Sequence, residues 1–266
     1  MMLFKERMQA LAWWDKVRSD PRAKQAATRW RAWSGAALDV VYPRACAQCG
    51  AAPDALPFLC WECLSDLHYV QPPFCSRCGD PVPGHIDHEY CCTYCTRQPP
   101  AFDLARSAVR YEGTAGIAIR DVKYHGATWR IPDLVHLLDG CLQTHYALLT
   151  FDGVCYVPLY PAKQRERGFN QAEWLARVLA RTYGWPVIRN GLRRIKDTGS
   201  QTYLTAAQRA ANVARVFEVP QPRKVEGRRL LLVDDVMTTG ATVNACADQL
   251  RRAGAAAVHV LTVARG

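Results

Sequence analysis

The chain has 266 residues, 49% of them hydrophobic and 22% charged, with 34 Lys and Arg against 24 Asp and Glu and a formal net charge of +10. That much apolar material builds a sizeable core in one large domain or two smaller ones. It excludes a disordered chain, a collagen-like repeat and a small disulfide knot. No uncharged apolar run approaches the ~20 residues that span a bilayer.

The first 36 residues are expected to form a basic, Trp-rich extension. Trp13, Trp14, Trp30 and Trp33 alternate with Lys5, Arg7, Lys16, Arg18, Arg22, Lys24, Arg29 and Arg31. Phe4, Met8, Leu11 and Ala12 fall near helical spacing, and Ser19-Asp20-Pro21 reads as a helix break with a fresh start. Aromatics among basic side chains can stack on single-stranded bases, sit at a membrane surface, or pack a helix against the body of the protein. Charges every few residues leave no continuous apolar run of the secretory type.

Nine of the 12 cysteines lie between Cys46 and Cys95, eight of them in pairs two residues apart: Cys46/Cys49, Cys60/Cys63, Cys75/Cys78 and Cys92/Cys95. In a reducing compartment, spaced pairs of this kind hold metal more readily than they form disulfides. Two intervening residues let both thiolates reach one tetrahedral ion, and a second pair ten or so residues on closes the site. Two structural zinc ions are therefore expected over residues 37–100. The simplest grouping is sequential, Cys46, Cys49, Cys60 and Cys63, then Cys75, Cys78, Cys92 and Cys95; spacing leaves an interleaved grouping open. Gly50 and Gly79 each follow a pair, where a knuckle turn favours positive φ. Eight ligands in two closed sites leave no open coordination position for catalysis. Cys91 has no assigned role, and Cys141, Cys155 and Cys246 read as ordinary buried residues.

From about residue 101 an α/β pattern begins. Residues 153–158 read as a short buried strand, followed by a basic loop and an amphipathic helix over 171–182. The run at 229–233 has the length and continuous apolarity of a central parallel strand. It is expected to end in Asp234-Asp235, ahead of a Thr-rich loop, a helix closed by Gly254 at its C′ position and a strand over 257–264. This order implies right-handed crossovers and a mainly parallel sheet, with ligands beyond the carboxyl ends of the strands. Thr238, Thr239, Gly240, Ala241 and Thr242 combine hydroxyls, a glycine and a helix N-terminus, which together suit a monophosphate. Two carboxylates beside such a cradle suit neighbouring sugar hydroxyls, directly or through Mg2+. Charge follows the same division: the net is +5 over residues 1–33, −4 over 34–100 and +9 over 101–266. Phosphate or nucleic-acid partners would look to the basic segments, not to the zinc region.

The segment LLLVDDVMTTGATV resembles the 5-phosphoribosyl-1-pyrophosphate (PRPP) motif of type I phosphoribosyltransferases. With VYPRACAQCG, VKYHG, PLYPAKQRERGFNQAEWLA and KDTGSQTYLTAAQRAANVARVF, the wider pattern over residues 37–266 is similar to the ComF family. The resemblance implies a type I phosphoribosyltransferase fold, a mainly parallel α/β sheet flanked by helices over residues 101–266, behind a double zinc ribbon. It implies that Asp234 and Asp235 hold the ribose hydroxyls, with Mg2+ accompanying PRPP, and that Met237, Thr238, Thr239, Gly240, Ala241 and Thr242 wrap the 5-phosphate. Arg165 and Arg167 would bind pyrophosphate through forked hydrogen bonds. Gly168 would let the backbone close in, and Asn170 and Gln171 would offer neutral donors.

Residues 196–212 resemble a closing lid, and Lys123 and Tyr124 match family positions near the acceptor, with Lys123 expected among the PRPP-binding residues. His125, beside Lys123, is the one histidine singled out. His68, His85 and His88 lie in the zinc module, and His136 and His145 read as helix residues. Thr238 stands where purine enzymes of this type often carry Asp, which disfavours hypoxanthine or guanine as acceptor. The family further implies a cytoplasmic part in DNA uptake, handling single-stranded DNA near the inner membrane with other uptake proteins. A catalytically silent PRPP, nucleotide or single-strand sensor, and a nucleobase salvage enzyme, are the competing readings.

Overall fold

A computed structural model of the chain describes residues 45–196 and 216–266. The Trp-rich extension and nearly all of the lid segment lie outside the described residues. Four parallel strands, β1 (Leu104–Arg110), β2 (Gly153–Tyr156), β5 (Arg229–Met237) and β6 (Ala257–Arg265), form the main sheet in the order β1-β6-β5-β2. A two-residue antiparallel pair, β3 (Arg193–Arg194) with β4 (Phe217–Glu218), stands apart from it. Two short helices, α1 (Trp61–Ser65) and α2 (Thr93–Arg97), belong to the cysteine-rich region. The sheet is covered by α3 (Gly113–His125), α4 (Ile131–Tyr146), α6 (Gln171–Tyr183) and α7 (Ala241–Arg252), with a short α5 (Pro161–Arg167) beyond the end of β2.

The apolar run in β5 is explained by coverage on both faces. Leu231 and Val233 join one core with Ile119 of α3, Leu138 of α4 and Leu175 of α6. Leu230 and Leu232, on the opposite face, join another with Val243, Cys246 and Leu250 of α7. Period-two alternation therefore sends every side chain of the run into a core. Cys141, Cys155 and Cys246 are buried, as expected.

Two expected boundaries are corrected. The strand does not stop at the acidic pair: β5 continues to Met237, because β6 runs alongside and pairs Asp234 with Thr262, Val236 with Ala264 and Met237 with Arg265. The basic loop after β2 is a helix, α5. Pro161 occupies its first turn, helix-forming Ala, Lys, Gln, Arg and Glu fill it, and Gly168 ends it at φ +82°.

The second ribbon is joined to the sheet edge by backbone and side chain together. Ala105 N–H donates to Arg77 O at 2.8 Å, Arg106 Nη2 donates to Ser76 O at 3.1 Å, and Arg265 Nη2 lies 2.9 Å from Asp80 Oδ1. Cys75, Cys78 and Cys95 share the α7-side core, whereas Cys46 and Cys60 of the first ribbon form a small cluster with Leu56 and Leu59. The first ribbon is tied down by Arg130, which donates to Ala47 O at 2.7 Å and pairs with Asp121 at 2.8 Å. Gly79 has φ +67°, and a Cβ there would lie 2.7 Å from Ala105 O. Gly79→Ala should therefore cost about 2–3 kcal/mol in stability, measured by chemical unfolding of the zinc-loaded chain; an unchanged midpoint would mean the ribbon is not held this closely.

Candidate functional site

The cysteines group sequentially, Cys46, Cys49, Cys60 and Cys63 in one cluster and Cys75, Cys78, Cys92 and Cys95 in the other, with all Sγ atoms of a cluster within 4.8 Å of one another. The interleaved grouping is thereby set aside. A tetrahedral zinc ion with Zn–S near 2.3 Å separates its sulfurs by slightly under 4 Å. Cys49 and Cys60 Sγ are 3.5 Å apart, and Cys78 and Cys92 Sγ 3.9 Å. Backbone N–H groups already turn toward the sulfurs: Cys92 N–H donates to Cys75 Sγ at 3.3 Å and Cys95 N–H to Cys92 Sγ at 3.5 Å. Burial alone would push the Cys46 and Cys75 thiols up, but such donors outweigh it and bring both down to about 6. Donor set and spacing fit zinc in both clusters.

Gly50 has the expected positive φ, +80°. Cys91 is exposed and belongs to neither cluster. His68, which lies in the zinc module, has Nδ1 2.7 Å from Glu112 Oε1.

The second centre lies at the carboxyl end of β5. Asp234 and Asp235 are both buried there, and alternation sends them to opposite faces of the strand. Lys123, near the end of α3, places Nζ 3.0 Å from Asp235 Oδ2. Burial would lower this lysine, but the carboxylates of Asp235 and Asp234 outweigh it and hold it above its ordinary value. Asp234 accepts the Asp235 backbone N–H at 2.9 Å. Burial, reinforced by the charge of Asp235, pushes its carboxyl up to about 8. Lys123 thus pairs directly with Asp235, while Asp234, on the other face of the strand, feels the ammonium at longer range.

Met237 is buried at the end of the strand, and Thr238 and Thr239 are exposed on the loop after it. Gly240 takes φ +78° as the N-cap of α7, and a Cβ there would lie 2.8 Å from Met237 Cε. Ala241 N–H donates weakly to Thr239 Oγ1 at 3.4 Å. The first turn of α7, with Thr242 exposed, has N–H groups that lack intrahelical partners and suit an anion.

Arg167 is linked to this end of the sheet through Tyr124, over whose ring its guanidinium lies at 5.6 Å from the centroid. It also donates to Gln171 Oε1 at 2.6 Å. Arg165 is exposed on the same short helix. Asn170, expected as a free donor, is structural. Its Oδ1 caps α6 by accepting from Ala172 and Glu173, and its Nδ2 donates to Val157 O at 3.0 Å. Gly168 serves to end α5: nothing lies within 4 Å of where its Cβ would be, so its positive φ is the constraint. His125 turns back toward Asp121 at 3.1 Å.

Spacing alone did not reveal the Lys123–Asp235 pair, since 112 positions separate the partners. Arg265, 94% buried, was also missed; no sequence signal marks it beyond a terminal charge on an apolar strand.

Two outcomes check this geometry. Metal analysis of the purified chain should find about two zinc ions per chain. A folded, metal-free protein would contradict the clusters. Asp234 has a raised folded pKa, so its contribution is present below the unfolded value near 3.8 and is lost as pH rises through about 8. Asp234→Asn should therefore raise the melting temperature of the ligand-free protein at pH 8, with the gain fading toward pH 4. A gain independent of pH would rule out this titration.

Residues 37–98 match the double zinc ribbon domain, and residues 166–266 match the phosphoribosyl transferase domain. Competence protein F of Haemophilus influenzae is 30% identical over 226 residues, which cover 78% of this chain and 97% of that protein. DNA utilization protein YhgH of Escherichia coli is 30% identical over 230 residues, covering 79% and 98%. Competence protein ComFC of Bacillus subtilis is 27% identical over 214 residues, covering 78% and 84%. Among solved structures, a glutamine PRPP amidotransferase from B. subtilis is 26% identical with a TM-score of 0.33, over 48% of this chain and 26% of its own. A purine phosphoribosyltransferase from Pyrococcus horikoshii is 15% identical with a TM-score of 0.31, over 52% and 84%. With a double zinc ribbon, a phosphoribosyltransferase domain over a parallel sheet, and relatives matched over nearly their whole length, the chain belongs to the ComF family.

Proposed function

We propose that the chain binds PRPP with Mg2+ at the carboxyl end of β5 and serves DNA uptake during natural competence. In this reading residues 1–36 are an extension, 37–100 the zinc module and 101–266 the phosphoribosyltransferase-type domain. The observation that carries it is the gathering of the buried Asp234–Asp235 pair, Lys123 and the Thr-rich loop at one strand end. The names of the relatives, competence protein F and ComFC, support the role in competence. Among the described residues no helix is long and apolar enough to cross a membrane.

Each group then has a task. Asp234 and Asp235 hold the ribose hydroxyls, and Lys123 compensates Asp235 in its buried place until the sugar arrives. Thr238, Thr239, Gly240, Ala241 and Thr242 receive the 5-phosphate, with Met237 as the apolar floor that fixes the turn. Arg165 and Arg167 take the pyrophosphate as its bond to C1 breaks and the acceptor's lone pair bonds to C1. Mg2+, when bound, neutralises charge on the pyrophosphate and the acidic pair. With Thr238 where an acid–base Asp would stand, the loop supplies electrostatic stabilisation and no proton transfer. Single-stranded DNA would be met by the basic segments outside the zinc module.

PRPP with Mg2+ should raise the melting temperature through linkage, and the shift should vanish in Asp234→Asn/Asp235→Asn. No shift in the parent protein would refute PRPP binding. Pyrophosphate release with bases, nucleotides or single strands as acceptors separates an enzyme from a silent sensor. Affinity for single-stranded DNA should fall steeply with salt; salt-insensitive binding would contradict a phosphate-led interface.

A further inference from the structure

A cavity of about 470 Å³, open on one side, separates the second ribbon from the phosphate loop. Its volume falls in the range of small-molecule sites, roughly 300–1,000 Å³. Cys78, Cys92 and Cys95 contribute to one wall, and Thr239, Gly240 and Ala241 to the other. Neither Asp234 nor Asp235 lines it, nor do Lys123, Arg165 or Arg167. An occupant would therefore touch the loop proposed to receive the 5-phosphate, but not the carboxylates assigned to the ribose.

The lining specifies what fits. Tyr94, 54% exposed on α2, and buried Phe102 and Met237 offer flat or soft apolar contact suited to a planar ring. Two of the lining polar groups, Asn244 and Arg265, are placed to donate. Asn244 Oδ1 is taken by the Ala101 N–H at 2.7 Å, which leaves its Nδ2 to donate. Arg265 is 94% buried and spends Nε (3.0 Å) and Nη2 (2.9 Å) on Asp80 Oδ1, while its buried Nη1 has no partner among the described residues. A buried donor left unpaired is costly, and a ligand acceptor would satisfy it. Asp80 already neutralises the guanidinium, so that acceptor need carry no charge.

We propose that this cavity is a second ligand site, which takes the carbonyl-bearing base of a nucleoside, stacked on Tyr94 and accepting from Arg265 and Asn244. The occupant bridges the zinc module and the phosphate loop, so its binding reports to both. The binding itself does not require the PRPP reading; only its effect on PRPP rests on that reading.

Calorimetric titration of the zinc-loaded full chain with inosine and with uridine, without PRPP or Mg2+, tests the site. Saturable binding is expected, weakened at least tenfold in Tyr94→Ala, which removes the stacking face, and in Gln98→Trp, which blocks the exposed rim. Both residues are exposed, and zinc content with circular dichroism verifies the fold. Adenosine, with an amine where inosine has a carbonyl, should bind several-fold more weakly. Absence of saturable binding up to about 5 mM, binding unchanged in both variants, or equal binding of adenosine and inosine would each overturn the proposal. A PRPP thermal shift measured in parallel separates the two readings, because its loss with nucleoside binding intact refutes only the first.

Discussion

Two consecutive carboxylates at the buried end of one strand, one on each face, constrain the elements around them. A buried charge without compensation is among the costliest features a fold can carry, and here Lys123 compensates Asp235 while burial and the charge of Asp235 hold the Asp234 carboxyl well above its ordinary range. The lysine reaches the pair only because α3 ends beside β5, and α3 is held there by the core it shares with α4 and α6. Gly126, at φ +65°, ends that helix just past Lys123. The apolar packing of one face of the sheet thus places the charge that the end of β5 needs.

The zinc module is integrated with the sheet on the opposite face. Its second cluster contributes three cysteines to the core that also contains α7, the helix whose N-terminus forms the proposed phosphate cradle. Arg265 joins the last residues of β6 to Asp80 in the ribbon, and Asp103, just before β1, pairs with Arg251 at the far end of α7. Metal, sheet and loop are therefore mechanically continuous over short distances. The acidic zinc region and the basic phosphoribosyltransferase-type domain meet at the Arg265–Asp80 contact.

Local chemistry was legible in the sequence, and distant pairing was not. Cysteine spacing marked both clusters, because two residues between ligands is a local geometric requirement. The apolar run of β5, the Thr-rich turn and the helix after it were readable for the same reason. The end of β5 was misplaced because two aspartates look like a loop until β6 supplies partners for them. The helix α5 was hidden by its charges, although Pro161 and Gly168 bracket it in the order that helices prefer. Asp80 with Arg265 and Lys123 with Asp235 are separated by 185 and 112 positions, and only the folded sheet brings them together.

The two ribbons differ in how they are anchored, and this makes their metals thermodynamically unequal. Cys46 and Cys60 rest on a satellite cluster with Leu56 and Leu59, whereas Cys75, Cys78 and Cys95 are part of a main core. Release of the first ion need open only a local unit, but release of the second must disturb the sheet itself. The folding energy of the domain is in effect lent to one ion and not to the other. A chelator would then strip the chain in sequence, first giving a half-loaded protein with its sheet intact, and the second loss would coincide with global unfolding.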